Sequence, residues 1–264
     1  MRGLLTKLFI GLIACGLPLS ALGVFAASPT RQALWQVVRA CVADFKLTGG
    51  SFPCRLVDLT GGEEQGYVVL RAPFGPPDLV LVPTRRVIGV EDPWLQSPNS
   101  PNYFDAAWRS RPYLKGPDGR SPHPDEFALA VNSALTRSQD QLHIHLGCFL
   151  PATKNRLSTL ASGLPIGVWT PVRGLIPGSV LWGLRTGRHD LAGVEPFRLA
   201  AEGLGDKIRD RARLMIFVTG VRVGGEELLI LASDANTPAS SYQVGAADLI
   251  DLACSVRSGL SVLN

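Results

Sequence analysis

The chain has 264 residues, with 46% hydrophobic and 18% charged, so it is neither disordered nor a bundle of membrane spans. A formal net charge of +4 leaves no basic surface of the kind that nucleic acid requires, although the pI is about 8.9. That length suits one large domain or two small ones with a proper hydrophobic core.

The N-terminus carries Arg2 and Lys7, and then an uncharged run from Leu8 to Ala27. A run of this length is enough for one helix to cross a bilayer. Cleavage after Ala26 and lipidation at Cys15 are alternatives. Retention is expected, because the run exceeds the 7 to 15 residues of a signal core. Residues 1–28 are therefore expected to be an uncleaved anchor and 29–264 the working domain. Arg2 and Lys7 would stay inside, placing the domain outside.

Residues 29–46 space Leu34, Val38, Cys41, Val42 and Phe45 as one face of a helix. Three short strands follow at 55–59, 66–71 and 78–83, broken at Gly61-Gly62 and in a turn over 73–77. Segment 92–124 reads as loop around a short helix at 102–110. Its aromatic residues are either core or the lining of a lipid entry route. "HPDEFALAVNSAL" is expected to be helical, since Pro124, Asp125 and Glu126 suit a first turn. Residues 151–192 are rich in Gly and Pro and resist assignment. A helix over 195–212 and a hairpin turning at Gly224-Gly225 complete the chain. The class expected is α+β, with a mainly antiparallel sheet flanked by helices.

Cys41, Cys54, Cys148 and Cys254 lie beyond the N-terminal segment. An even count in an oxidising compartment suggests bridges from Cys41 to Cys54 and from Cys148 to Cys254; four buried thiols are the alternative. Closing the shorter loop contributes about 3 kcal/mol in the chain-entropy treatment.

Only four histidines occur, and two of them alternate with apolar residues in "SQDQLHIHLGCF". On a strand, positions i and i+2 share a face, so Gln141, His143 and His145 line up while Leu142, Ile144 and Leu146 face the core. Such a pair can be a solvated face, half of a zinc site, or a catalytic couple. Zinc needs a third protein ligand, and neither His123 nor His189 lies in a ligand motif. His123, between prolines, reads as structural and His189 as a surface residue. Imidazole is largely neutral at pH 7 and can attack phosphorus directly, while a second imidazole steadies the oxygens that gather charge.

"NSALTRSQDQLHIHLGC" resembles the signature of the histidine-triad (HIT) superfamily, and "YVVLRAPFGPPDLVLVPTRRVIGVEDP" is similar to that superfamily's hairpin. With "FALAVNS" and the N-terminal run, the closest resemblance is to the membrane-anchored bacterial CDP-diacylglycerol pyrophosphatase family, over roughly residues 34 to 255. The resemblance implies a HIT-like fold preceded by a transmembrane helix, in the bacterial inner membrane with the catalytic domain in the periplasm. It implies hydrolysis of CDP-diacylglycerol to CMP and phosphatidate through a covalent His-CMP intermediate. His143 falls on the nucleophile, His145 on the last histidine and Gln141 on the first. Ser138 falls on the serine beside the scissile phosphate and Asn132 on the Asn before the loop. The alternative register makes His145 the nucleophile. Gln141 departs from the triad, since an amide can orient a phosphate oxygen but cannot act as an acid. Arg85, Arg86, Arg137 and Lys154 are candidate phosphate-binding cations. No metal, cofactor, nucleic acid or obligate protein partner is implied; the partner is CDP-diacylglycerol in a bilayer. Two alternatives stand beside this reading: a non-catalytic envelope module that binds nucleotide or lipid, and a zinc-dependent phosphoesterase.

Overall fold

The computed structural model describes residues 30–72, 79–149, 151–175, 180–208, 210–235 and 250–254. Nine strands form one sheet in the order β1-β2-β3-β5-β4-β8-β9-β7-β6, every neighbouring pair antiparallel. The strands are β1 (Leu56–Asp58), β2 (Tyr67–Arg71), β3 (Leu79–Pro83), β4 (Phe127–Val131), β5 (Ile144–Cys148), β6 (Thr170–Arg173), β7 (Val180–Arg185), β8 (Leu214–Arg222) and β9 (Glu226–Asp234). The helices are α1 (Ala33–Thr48), α2 (Tyr103–Arg109), α3 (Pro151–Ser162) and α4 (Pro196–Gly203).

The expectation of a HIT-like fold led by a transmembrane helix is corrected to this nine-stranded sheet with four helices. Among the described residues no helix is long and apolar enough to cross a membrane. The single-pass inner-membrane placement is corrected on the same finding; residues 1–28, on which both expectations rested, lie outside those described. The turn expected over 73–77 also lies outside them.

A second correction concerns 123–135, which holds β4 and not a helix. Its sequence Phe-Ala-Leu-Ala-Val is buried at every position. With both faces covered, the period of two appears as large-small rather than apolar-polar alternation, and the acidic N-terminal residues imitate a helix start. The helix expected over 195–212 is shorter, ending at Gly203, and the unassigned stretch after 150 supplies α3, β6 and β7. Both disulfides join the expected partners, Cys41–Cys54 and Cys148–Cys254.

Antiparallel partners share a face, so one row crosses the sheet: Leu70, Val80, His145, Ala130, Phe217 and Leu231. The opposite face, carrying Leu81, Ile144, Leu146, Leu129 and Ile216, belongs to one continuous core with α2 and α4. On the histidine face the cover is split. Helix α1 packs Leu34, Val38 and Val42 over β1–β3, while α3 packs Leu157 and Ala161 over β8 and β9. Strand β5 runs between these two clusters.

Of the aromatic residues of 94–113, all but the exposed Tyr113 pack on the continuous side. Tyr103, Phe104 and Trp108 are buried there, with Phe104 stacked on Phe197 at 4.8 Å and Trp108 on Phe127 at 5.3 Å. The suggested lipid route through this segment is thereby replaced by core packing.

Candidate active site

The rings of His143 and His145 meet edge to face with centroids 4.8 Å apart, at an interplanar angle of 72°. Each residue is only 7% exposed. Neither belongs to the apolar clusters of α1 or α3. His145 lies inside β5, and His143 just ahead of it.

His143 Nδ1 lies 2.8 Å from the carbonyl oxygen of Gln141. A carbonyl only accepts, so Nδ1 carries the hydrogen and donates it, and the lone pair sits on Nε2. Burial, followed by the neighbouring His145, pushes the His143 pKa from 6.5 down to about 3, with Arg137 acting in the same direction against the carbonyl bond. The ring is therefore neutral and basic at Nε2 at every physiological pH. Asn132, just past β4, places Nδ2 3.5 Å from His145 Nε2. An amide nitrogen donates, so that geometry favours the lone pair on His145 Nε2 facing Asn132.

Gln141 is fully buried and does not present its amide to the site as expected. Its Nε2 donates to the carbonyls of Pro83 at 3.0 Å and Arg85 at 2.9 Å, and its Oε1 accepts from the Val87 N–H at 3.4 Å. Leu142 N–H reaches the Val87 carbonyl at 2.7 Å. The two motif segments, "VPTRRVIG" and "DQLHIH", are thus clasped into one wall, and Gln141 acts by positioning His143 through its own carbonyl.

Of the four cations considered, Arg137 acts electrostatically on His143 and Arg86 contacts Gln141. Arg137 is buried between Glu91 and Asp140, at 2.7 and 3.2 Å. Its guanidinium passes over Gly89, where an added Cβ would stand 2.2 Å from Nη1, so only glycine leaves room. Arg86 reaches Gln141 Oε1 at 3.5 Å and also holds Gln32, its guanidinium 5.5 Å from the Trp35 ring centre. Arg85 turns away, stacked 4.2 Å over Trp94 and paired with Glu64. Lys154 pairs with Asp125 at 3.1 Å and Glu126 at 3.8 Å, near the far end of β5, where Phe127 faces Cys148. Ser138 is exposed on the loop before His143.

The start of α1 completes this corner, and nothing in the sequence signalled it. Arg31 donates to Asp140 at 2.6 and 2.8 Å, and the Leu34 N–H donates to Gln139 Oε1 at 2.9 Å. The Arg31 hydrogen bond, reinforced by Arg137, holds the Asp140 carboxyl down at about 2. Among the described residues no group of three His, Cys, Asp or Glu side chains is placed to hold a metal ion.

A neutral imidazole with one nitrogen anchored and the other free, next to a second imidazole, is the equipment of a hydrolase. The chain belongs to the CDP-diacylglycerol pyrophosphatase family, whose sequence model matches residues 29–258. It is similar to the "CDP-diacylglycerol pyrophosphatase" of Yersinia pestis, with 29% identity over 99% of this chain and 96% of that one. It is also similar to a Mycobacterium leprae (strain TN) protein named "Probable CDP-diacylglycerol pyrophosphatase", with 31% identity over 89% of this chain and 84% of that one.

Proposed function

We propose that this protein hydrolyses the pyrophosphate bond of CDP-diacylglycerol to CMP and phosphatidate, with His143 as the nucleophile. Its membership of the CDP-diacylglycerol pyrophosphatase family supports the hydrolase activity and the substrate. The observation that carries the covalent mechanism is the 2.8 Å bond from His143 Nδ1 to the Gln141 carbonyl, which leaves Nε2 as the attacking atom.

In the first step Nε2 bonds to the phosphorus next to cytidine, and the P–O bond to phosphatidate breaks. Phosphatidate leaves as a stabilised phosphomonoester anion without an acid, which suits a site where a glutamine stands at the first histidine position. The imidazole now carries a positive charge, and the Gln141 carbonyl strengthens its hold on Nδ1–H as that charge forms. Water then adds to phosphorus, the P–N bond breaks, CMP leaves, the water proton passes to solvent, and His143 returns to neutral. Asn132 stabilises the phosphoryl oxygens where charge accumulates through its amide N–H, and His145 joins it by donating from Nε2 in the tautomer that carries the hydrogen there. Ser138 lies on the loop that would close over the scissile phosphate. Arg86 and Arg137 supply positive potential beside it.

Diacyl chains hold the substrate in a lipid surface at about 0.8 kcal/mol per CH₂. The reaction therefore runs where the protein meets that surface.

The test is rapid quench into alkaline denaturant with substrate labelled at the cytidine-side phosphorus. Label should appear on the protein as an acid-labile, base-stable adduct that His143→Ala abolishes, with turnover reduced more than about 10³-fold. Full turnover by His143→Ala with no adduct would overturn the assignment. Loss of activity to a chelator would point to the zinc reading, and binding without turnover to the non-catalytic module.

A further inference from the structure

Helix α1 begins without a cap of its own. Gln32 occupies the cap position but makes no side-chain hydrogen bond to the first turn, so the leading N–H groups need partners from elsewhere. One comes from the loop that leads into β5: the Leu34 N–H donates to Gln139 Oε1, 105 residues further along the chain, at 2.9 Å.

Arg31, just ahead of the cap, binds the same loop through side chain and main chain together. Its guanidinium takes both carboxylate oxygens of Asp140, at 2.6 and 2.8 Å, and donates to the Arg137 carbonyl at 3.2 Å. Its own carbonyl accepts from the Asp140 N–H at 2.7 Å. Only a guanidinium suits this, because its planar fork matches a carboxylate and leaves a further N–H for the carbonyl.

A lone surface ion pair contributes little to stability, and the Arg31 side chain is half exposed. Here both main chains are tied as well, so the consequence is alignment rather than stability. The loop leads straight to the reacting ring. Asp140 is followed by Gln141, whose carbonyl takes the His143 Nδ1 hydrogen at 2.8 Å. Asp140 also accepts from Arg137 Nε at 3.2 Å, and Arg137 bears on the same ring electrostatically. Arg31 is thus two steps from the attacking nitrogen, by way of Asp140 and then the Gln141 carbonyl.

We infer that Arg31 is a positioning residue: by holding Asp140 against the start of α1 it sets the Gln141 carbonyl, and through that carbonyl the nitrogen that His143 turns to phosphorus. The inference rests on the hydrolase reading above for the reaction, and on the hydrogen-bond network alone for the state of the ring.

Three measurements on Arg31→Ala test it. First, kcat for CDP-diacylglycerol should fall by about tenfold or more with KM changed by less than about threefold, since lost alignment acts on the chemical step. The unfolding midpoint should stay close to wild type. Second, millimolar ethylguanidinium should restore much of the lost rate; methylammonium, which has no fork, should not, and Arg31→Lys should remain slow. Third, and without substrate, the nitrogen NMR spectrum of wild-type His143 at neutral pH should show a hydrogen on Nδ1 and a bare Nε2. In Arg31→Ala the two signals should move toward each other as the tautomers mix. Should that variant not fold, Asp140→Asn, which keeps the shape and removes the charge, carries the same expectations for kcat and for the ring. A kcat within about twofold of wild type would overturn the proposal. So would a slow variant that ethylguanidinium fails to rescue and whose His143 signals match wild type. Wild-type protein that leaves CDP-diacylglycerol intact would overturn the hydrolase reading instead, and the ring signals would still decide what Arg31 does to His143.

Discussion

The two faces of the sheet are built from the same nine strands and do opposite work. On one, α2 and α4 bury a single unbroken core from Val69 on β2 to Ile230 on β9. On the other, α1 and α3 cover separate clusters, and the histidine strand lies between them. A continuous cover gives stability and no room. A divided one loses some apolar burial and opens a polar seam where two imidazoles can meet a substrate. The proposed site occupies the gap between two helices, not a loop laid over a finished core.

That contrast can be broken from either side. His143→Ala should abolish turnover by more than about 10³-fold while the unfolding midpoint stays close to wild type. Phe104→Ala, on the continuous face, should do the reverse, destabilising by about 3 to 5 kcal/mol in urea melts while the folded fraction keeps its turnover number. If Phe104→Ala instead lost activity at full stability, the two faces would not be separable.

The disulfides give the next largest effect. Removing Cys148–Cys254, which closes a 106-residue span, should cost about 4.5 kcal/mol, against about 3 kcal/mol for the 13-residue span of Cys41–Cys54. The longer bridge also fixes Asp251 on the edge of β5, where Cys148 and Asp251 exchange backbone hydrogen bonds at 2.6 and 2.9 Å. Its loss should lower activity as well as stability, measured by paired melts and assays of the two double-alanine variants.

Gly89→Ala should be smaller, about 1 to 3 kcal/mol, because the new methyl displaces the Arg137 guanidinium from Glu91 and Asp140. Activity should fall roughly tenfold or more with it, since Arg137 lies beside His143. A variant with wild-type turnover would remove Arg137 from the site.

The last effect is acid sensitivity. The His143 pKa is depressed to about 3 in the folded chain against 6.5 unfolded, so the unfolded chain takes up a proton that the native ring refuses. The resulting stability is complete above pH 6.5 and is lost as pH falls toward 3. Asp140, held at about 2, contributes stability that is complete above its ordinary value of 3.8 and is lost only below it, so between pH 6.5 and 4 the histidine dominates the pH dependence of this pair. His143→Asn should lose less stability than wild type between pH 7 and 4 in thermal melts.

Several elements were legible in the chain because one physical signal governed each. The 3.6-residue spacing of α1, the apolar runs of β2 and β3, and the glycine pair between β8 and β9 are local signals, and all appear close to where they were expected. The histidine pair was legible for the same reason, since two residues apart on a strand means one face. Strand β4 was not, because burial on both sides erases polar alternation and leaves only Phe-Ala-Leu-Ala-Val. Nor could the sequence tell which cations reach the site: Arg85 and Arg86 are adjacent, and one stacks on Trp94 while the other reaches Gln141.

By itself, then, the sequence determined α1, β2, β3 and the β8–β9 hairpin, the pairing of cysteines, the family and the two imidazoles. Tertiary structure alone decided that the glutamine ties down a loop, that α1 closes the charged corner, and that the histidine strand lies between two separate helical covers. The reason is range. Periodicity and side-chain chemistry are properties of neighbouring residues, whereas hydrogen bonds from Gln141 to Pro83 and Arg85 and a split cover exist only once segments more than fifty residues apart are packed together.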